Sequence, residues 1–324
     1  MSLKNKSVLV SGGAGFIGSH CVDRLAKENP ENLVVVDNFF LGSMSNLDDA
    51  QEIYSDLKIY DQDATNYEKM SEIMKNEAID IVFNFAIVPL PVSFEKPKWT
   101  YEHNVAITST YCELLRKDFY ETLINFSSSE AYGTCQYAPM DENHPLNPMT
   151  PYAASKASAD HLLLSYFRTF GIDASIIRPF NNFGPRQNDK GYAAIIPLTI
   201  KRILKGESPI IQWDGEQTRD FIYAANTADA AVEVYNHKNT RGKVLNIASG
   251  KDTSVNTVVK LLVELLNCEK PVLYQEKRPG DVRRHIANTF LARDLINFKP
   301  KISFEDGLKL TVNWYKIHLE KQQR

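Results

Sequence analysis

The chain has 324 residues, of which 43% are hydrophobic and 24% are charged, and its net charge is −3. These values describe an ordinary globular protein with one large domain or two smaller ones. There is no basic block and no run of about 18 apolar residues, so nucleic-acid and membrane partners are not expected. The cysteines are scattered, which favours free thiols, and the histidines show no ligand spacing, so no metal site is expected. No apolar signal segment is seen at the N-terminus, so a cytoplasmic protein is expected.

The first segment is predicted to form a strand, a glycine-rich turn and a helix. The apolar run Ser7-Val-Leu-Val10 precedes Gly12-Gly-Ala-Gly-Phe-Ile-Gly18, and a helical pattern continues through Leu25. In this context the early glycines allow a tight turn, Gly15 lets the backbone approach a pyrophosphate, and Gly18 permits close packing of helix and strand. The segment therefore predicts a dinucleotide-binding turn at a helix N-terminus.

The next two predicted strands end on acids. Leu33–Asp37 is apolar up to Asp37, which can hydrogen-bond both ribose hydroxyls of an adenosine and would repel a 2′-phosphate. This favours NAD over NADP. A strand at 58–62 leads to Asp63, which is placed to contact the adenine amino group. An ordinary solvated acid at a strand end remains an equal alternative for Asp63.

Helices and strands continue to alternate up to residue 127. Thr65 is expected to cap a helix that ends near Asn76, and 87–93 is expected to be irregular beside the nicotinamide. The remaining predicted elements are a strand at 79–86, a helix at 97–117 and a strand at 122–127. Such alternation predicts an α/β fold of the Rossmann type, with a doubly wound parallel sheet.

A cluster of serines and a glutamate follows the fifth predicted strand, in Ser127-Ser-Ser-Glu130. Ligands bind at the carboxyl ends of strands in such sheets. The hydroxyl of Ser128 could hydrogen-bond a substrate oxygen, and Glu130 could act as a general base. The alternatives are a strand-end cap for the serines and a solvated loop acid for Glu130.

Tyr152 and Lys156 lie four residues apart in a strongly helical run that begins after Pro151. Residues at this spacing share one face of a helix. A lysine cation near a phenol favours phenolate and lowers the pKa of the tyrosine. The pair is therefore a candidate proton acceptor for a hydroxyl group, although the motif alone also fits an ordinary surface helix.

After a sixth strand at 172–177 the chain becomes less regular. Helices are predicted at 197–205, 227–235, 253–266 and 304–315, and a turn leads to a short strand within 213–223. Arg186, Arg219 and Arg278 lie in three separate loops of this part. Loop arginines are usually solvated, but three of them suit a diphosphate because the guanidinium fork matches phosphate oxygens.

Taken together, the motifs resemble the extended short-chain dehydrogenase/reductases that act on nucleotide sugars. The likeness covers nearly the whole chain, and the motifs occur in the family's order. The matching stretches are 12–18, Asp37-Asn38, Asp63, 127–133, 152–156, 178–186, 217–223 and 278–281.

The resemblance implies a Rossmann domain at 1–178 and a smaller α/β substrate domain at 179–324, some segments of which return to the first. It also implies a homodimer through the helices at 97–117 and 152–170. Tyr152 would be the base. Lys156 would lower the pKa of Tyr152 and bind the ribose of the cofactor, and Ser128 would supply the hydroxyl beside Tyr152. NAD would be bound by Gly12, Gly15, Phe16, Ile17, Gly18, Asp37, Asn38, Asp63, Ala86, Tyr152 and Lys156. The nucleotide diphosphate sugar would be bound by Asn181, Arg186, Arg219, Arg278 and Asp281.

Members of this family share a first step, in which the sugar C4 is oxidised, and then differ. The 4-keto sugar can be reduced on its other face by a 4-epimerase, lose water in a 4,6-dehydratase, or lose carbon dioxide in a UDP-glucuronate decarboxylase. Elimination needs a base at C5, and the order Ser128-Ser129-Glu130 is similar to that of GDP-mannose-type dehydratases and decarboxylases. Most dTDP-glucose dehydratases have Asp where this chain has Ser129.

We therefore expect a 4,6-dehydratase. A 4-epimerase of the UDP-glucose or UDP-N-acetylglucosamine type is the alternative, and a decarboxylase is the third possibility. Two rivals belong to other classes. A non-catalytic NAD sensor would not need Ser128, Tyr152 and Lys156 together, and a simple alcohol dehydrogenase would not need the arginines or the long C-terminal part.

Overall fold

The structure is a computed structural model that describes residues 2–188, 194–277 and 282–323. The strands of its main sheet are β1 (Ser7–Ser11), β2 (Asn32–Asp37), β3 (Lys58–Asp61), β4 (Ile81–Asn84), β5 (Thr122–Phe126), β6 (Ala174–Pro179) and β11 (Val244–Ile247). Shorter strands are β7 (Asn181–Phe183), β8 (Ile210–Gln212), β9 (Thr218–Arg219), β10 (Phe221–Tyr223), β12 (Thr253–Ser254) and β13 (Leu273–Gln275).

Within the described residues the main sheet has seven parallel strands in the order β11-β6-β5-β4-β1-β2-β3. Strands β1, β4, β5 and β6 are buried along their whole length, as expected for a parallel sheet that is covered on both faces. The strand order reverses between β1 and β4, and ligands bind at such a switch point. The predicted doubly wound Rossmann fold is confirmed.

Helices cover both faces of the sheet. The helices are α1 (Phe16–Ala26), α2 (Asp48–Ile53), α3 (Tyr67–Asn76), α4 (Val92–Glu95), α5 (Pro97–Arg116), α6 (Pro151–Phe170), α7 (Ile195–Leu204), α8 (Ala224–Asn236), α9 (Val255–Leu265), α10 (Phe290–Ile296) and α11 (Phe304–Gln323). The core on one face takes residues from α1, α8 and α10, and the core on the other takes them from α3, α5 and α6.

A smaller apolar core lies between α7, α9, α11 and the pair β7 and β10. It includes Ile200, Leu262 and Tyr315, which are buried. Strand β11 and helices α8 and α10 belong to the second half of the sequence, yet they join the sheet and its flanking layer. The division of the chain at residue 178 stays a prediction.

Three local expectations need correction. Asn66, rather than Thr65, caps α3, and its side chain accepts a hydrogen bond from the Lys69 amide at 3.1 Å. Part of the segment expected to be irregular, 87–93, enters the short helix α4. Strand β11 was not predicted. In the described part of the chain, no helix has the length and apolar character that crossing a membrane requires.

Candidate active site

Two cavities meet at the carboxyl edge of the sheet. The first cavity, of about 460 Å³, is lined by the turn after β1, Asp37, Asp63 and Ala86. The second cavity, of about 650 Å³, is lined by Glu130, Asn181 and residues of α7 and β8. Ser128 and Tyr152 line both cavities. The two hydroxyls therefore lie where a group bound in one cavity can meet a group bound in the other.

The turn after β1 is shaped for close approach of a ligand. Gly12 has a φ of +70°, and a Cβ on it would lie 2.6 Å from the Ala86 nitrogen. A Cβ on Gly18 would lie 2.1 Å from the Gly12 oxygen. Both positions therefore require glycine. These contacts pack the turn, the helix and the end of β4 tightly together.

Helix α1 points its N-terminus toward the first cavity. Gly15 occupies the cap position without any side-chain cap, and Phe16 and Ile17 line the cavity beside it. The amides of a helical first turn have no partner within the helix, so they favour an anionic ligand. This arrangement fits the pyrophosphate of a dinucleotide.

Asp37 ends β2 at the rim of the same cavity. Its two oxygens accept hydrogen bonds from the amides of Ala14 and Phe39, each at 2.9 Å. Burial is the largest influence and raises the pKa of this carboxyl, and the two amide bonds oppose it. Each carboxylate oxygen can accept a further bond, so Asp37 can still bind ribose hydroxyls.

Asp63 is part of a small polar cluster, and its side chain is 39% exposed. Its carboxylate accepts hydrogen bonds from the Thr65 amide at 2.8 Å and from the Asn38 side chain at 3.3 Å. Nε2 of His103, on α5, lies 3.4 Å from a carboxylate oxygen of Asp63. Asn38, Asp63 and His103 all line the first cavity.

Tyr152 occupies the junction of the cavities, in the first turn of α6. Thr150 caps this helix, and its hydroxyl accepts a bond from the Ala153 amide at 3.1 Å. Burial raises the pKa of the Tyr152 phenol, a hydrogen bond with Ser128 lowers it, and the Glu130 carboxylate raises it again. The Ser128 hydroxyl and the Glu130 carboxylate thus both act on the phenol that is expected to serve as the base.

Lys156 lies one turn after Tyr152 and is buried. Its amine donates a hydrogen bond to the Phe126 carbonyl at the end of β5. Burial lowers the pKa of this amine to about 8, and Asp160 partly opposes the effect. The amine is therefore poised to gain or lose its proton close to neutral pH.

Asp160 on α6 and Arg178 on β6 form a buried ion pair. Asp160 accepts hydrogen bonds from the Ser127 hydroxyl at 2.7 Å and from Nε of Arg178 at 2.9 Å. The guanidinium also stacks on the Tyr132 ring, with its carbon 4.7 Å from the ring centroid. This network ties the ends of β5 and β6 to α6, and it fixes the backbone that carries Ser128.

The substrate residues expected from the sequence are not all brought together. Asn181 and Arg219 line the second cavity, and Nη1 of Arg219 donates to the carbonyls of Thr218 and Val282. Arg186 instead lies at the first cavity, where Asp23 binds it at 2.7 Å and Asp49 binds its other amine. The expected residues Arg278 and Asp281 fall outside the described residues.

The sequence analysis assigned no role to three polar residues of the second cavity, although Gln217 begins the matching stretch 217–223. The side-chain oxygens of Thr199, Gln212 and Gln217 are buried and have no hydrogen-bond partner within the described part of the chain. Phe40 and Trp99, which line the first cavity, were also missed. Lone Gln and Thr residues in separate elements give no sequence pattern, so only the assembled fold reveals them.

Comparisons with known proteins agree with this geometry. The family model described as GDP-mannose 4,6 dehydratase matches residues 9–311. A putative UDP-glucose 4-epimerase from Methanocaldococcus jannaschii is 36% identical over 95% of this chain and 98% of its own. Other relatives are named dTDP-D-glucose 4,6-dehydratase and UDP-glucuronic acid decarboxylase.

Two solved structures extend the comparison. A UDP-N-acetylglucosamine 4-epimerase from Methanobrevibacter ruminantium, in complex with UDP-N-acetylmuramic acid, is 35% identical with a TM-score of 0.90, over 97% of this chain and 99% of its own. A dTDP-glucose 4,6-dehydratase from Bacillus anthracis, in complex with NAD, is 29% identical with a TM-score of 0.87, over 98% and 100%. The chain therefore belongs to the extended short-chain dehydrogenase/reductase family of NAD-dependent nucleotide-sugar epimerases and dehydratases.

Proposed function

We propose that this protein is an NAD-dependent nucleotide-sugar 4,6-dehydratase. Its cofactor is NAD, as the sequence predicted, and the glycine turn, the α1 N-terminus and Asp37 suit that cofactor. The observation that carries the proposal is the position of Glu130. Its carboxylate lines the second cavity and acts on the Tyr152 phenol, so an acid or base is available beside the reacting sugar.

The proposed reaction begins with oxidation at C4 of the sugar. Tyr152 takes the proton of the C4 hydroxyl while Ser128 hydrogen-bonds the same oxygen. NAD, when bound, supplies a hydride acceptor for C4 and a hydride donor for C6. Asn181 and Arg219 are placed to hold the nucleotide diphosphate in the second cavity.

Elimination then depends on Glu130. The C4 ketone acidifies the C5 proton, which the Glu130 carboxylate removes. The bond between C6 and its hydroxyl breaks, and the same carboxyl gives the proton to the departing hydroxide, which leaves as water. Glu130 then takes a proton from solvent and delivers it to C5 as hydride is added at C6, which gives a 4-keto-6-deoxy sugar. Tyr152 releases to solvent the proton that it took from the C4 hydroxyl. Ser129 is buried and is not an acid, so Glu130 has to act in both directions.

A 4-epimerase is the second candidate function. The relatives from M. jannaschii and M. ruminantium carry epimerase names at 36% and 35% identity. Epimerisation needs Tyr152 and Ser128 but no base at C5, because the 4-keto sugar only has to present its other face. Glu130 would then have no chemical role, and its replacement would leave turnover intact.

Product analysis tests the proposal directly. The purified enzyme is incubated with UDP-, GDP- and dTDP-hexoses, and the products are examined by mass spectrometry and NMR. We expect one substrate to lose one water and give a 4-keto-6-deoxy product. A product of unchanged mass that is inverted at C4 would establish the epimerase instead, and loss of carbon dioxide from a UDP-uronate would establish the decarboxylase.

Replacement of the glutamate sharpens this test. Glu130→Gln should abolish loss of water but still oxidise C4, so bound NADH should accumulate and be visible by its absorbance. Glu264→Gln, on the exposed side of α9, serves as the matched control and should leave turnover unchanged. Undiminished dehydration by Glu130→Gln would remove the glutamate from the mechanism.

We also infer that the protein forms a homodimer through α5 and α6. These helices pack on each other and leave Tyr101 and Phe170 exposed. Light scattering during gel filtration tests this inference. A mass of twice the 36.8 kDa chain is expected, and a monomer at micromolar concentration would contradict it.

A further inference from the structure

Two large aromatic side chains close one end of the first cavity. Phe40 lies in the loop after β2 and Trp99 in the first turn of α5. Their rings meet edge to face, with centroids 5.6 Å apart and planes at 63°. Both side chains line the cavity, yet Phe40 is 46% exposed and Trp99 is 38% exposed. The contact therefore joins two elements across the mouth of the cavity.

The neighbours of this contact identify which end of the cavity it closes. The Trp99 ring lies 5.0 Å from the ring of His103, and His103 reaches Asp63 at 3.4 Å. Asp37 lies at the end of the adjacent strand, whereas Tyr152 lies on α6 and also lines the second cavity. The aromatic pair therefore belongs to the adenosine end rather than to the nicotinamide end.

The two rings differ in how freely they can move. Trp99 is fixed in a 20-residue helix, and the Lys96 ammonium lies 5.6 Å from its ring centroid. Phe40 lies in a loop without regular structure, directly after Phe39, whose φ is +52°. Asp37 accepts a hydrogen bond from the Phe39 amide, and Asn38 accepts one from the Phe40 amide at 3.1 Å. Phe40 is thus held by side-chain bonds within a loop, whereas the indole is held by a long helix.

We propose that Phe40 and Trp99 form an aromatic closure over the adenine of NAD and control the escape of the cofactor. Purine rings stack on indole and phenyl faces, and removal of one such face weakens binding substantially. The loop after β2 must open before NAD can leave, so loss of either ring speeds dissociation. This inference rests on the proposed NAD site and not on the reaction that follows C4 oxidation.

Cofactor exchange tests the closure. Holoenzyme that carries isotopically labelled NAD is mixed with excess unlabelled NAD, and loss of label is followed with time. Phe40→Ala and Trp99→Ala should each release NAD about tenfold faster than the wild type, whereas Trp99→Phe should restore most of the retention. Phe290→Ala, an exposed aromatic that lines neither cavity, is the control and should behave like the wild type.

Fluorescence supplies a second measurement that does not depend on turnover. Trp213→Phe with Trp314→Phe leaves Trp99 as the sole indole of the chain. NAD addition should quench the emission of Trp99. In this background, Phe40→Ala should make the emission recover faster when NAD is released. Wild-type release rates in both alanine variants would overturn the proposal, as would an unchanged Trp99 emission. Neither result would bear on whether the enzyme dehydrates or epimerises its substrate.

Discussion

The two cavities differ in how the polar groups that line them are held. In the first cavity, Asp37 accepts two backbone amides and Arg186 is bound by two carboxylates. In the second cavity, oxygens of Thr199, Gln212 and Gln217 are buried and have no partner among the described residues. A buried polar group without a partner costs about 1–3 kcal/mol. Ser11 and Gln187 at the first cavity also have a buried side-chain oxygen without a partner among the described residues. The charged groups of the first cavity are therefore held before a ligand binds, whereas the three neutral oxygens of the second cavity can accept bonds from a ligand or from water.

This difference matches the roles proposed for the two regions. A cofactor that stays bound through many turnovers is best held by a rigid site. A substrate that enters and leaves each cycle can be recognised by groups whose bonding it completes, and an analogue without the matching polar groups is rejected because those groups stay unpaired. Ser128 and Tyr152 stand where the two kinds of site meet.

The largest effect is expected from replacement of Tyr152, which lines both cavities. Tyr152→Phe removes the proton acceptor, so we expect kcat to fall about a thousandfold, within the usual range for a general base. NAD content should stay close to that of the wild type because the other residues that line the first cavity are unchanged. Tyr166→Phe, on the same helix, is the control and should retain activity. A kcat within tenfold of the wild type would assign the proton transfer to another group.

Removal of the buried carboxylate tests the rigidity attributed to the region under α6. Asp160→Asn leaves the Arg178 guanidinium buried with a neutral partner, and breaking such a pair costs about 3 kcal/mol. Urea denaturation should show this loss in the free energy of unfolding. Asp229→Asn, which weakens a partly exposed pair with Arg24, should cost less than about 1 kcal/mol. Equal losses in the two variants would argue against a special role for the buried network.

The second cavity should respond in the opposite way. Gln217→Leu removes a buried side-chain oxygen that has no partner among the described residues. It also removes the hydrogen bond that the Gln217 amide donates to the Gln212 carbonyl at 2.7 Å. We expect KM for the nucleotide sugar to rise about tenfold, while the free energy of unfolding changes by less than about 1 kcal/mol. A large loss of stability with unchanged KM would show that Gln217 is structural.

A smaller effect concerns pH. Burial lowers the pKa of Lys156 to about 8, so the amine is charged below pH 8 and loses its proton as the pH rises. The charged amine favours the Tyr152 phenolate, so kcat should fall by about fivefold between pH 8 and pH 9. Lys156→Arg keeps its charge throughout this range, and any activity it retains should not decline there. A wild-type profile that stays flat to pH 10 would contradict this role.

The features of the first cavity that could be predicted from the sequence are those set by local sequence. The turn from Gly12 to Gly18 and the strand end at Asp37 are each set by a few neighbouring residues. The spacing of Tyr152 and Lys156 likewise acts within one helix. The alternation of strands and helices was sufficient for the fold class, since each buried strand was long enough to show its apolar pattern.

The parts that the sequence did not predict depend on distant contacts. Arg186 looked like a phosphate ligand, but Asp23 and Asp49 hold it at the first cavity, and no local pattern reveals those partners. Strand β11 was missed although β4, which is equally short, was predicted, and the place of β11 beside β6 is fixed by the assembled sheet. Thr199, Gln212 and Gln217 converge from separate elements for the same reason.

The most direct test of the account follows the hydrogen at C4. A nucleotide hexose that carries deuterium at C4 is converted by the enzyme, and the position of the label in the product is read by NMR. If the enzyme is a 4,6-dehydratase, the deuterium moves to C6 of a 4-keto-6-deoxy sugar, because the hydride removed from C4 beside Tyr152 is returned to C6. Deuterium that remains at C4 of the product would contradict the proposed dehydration.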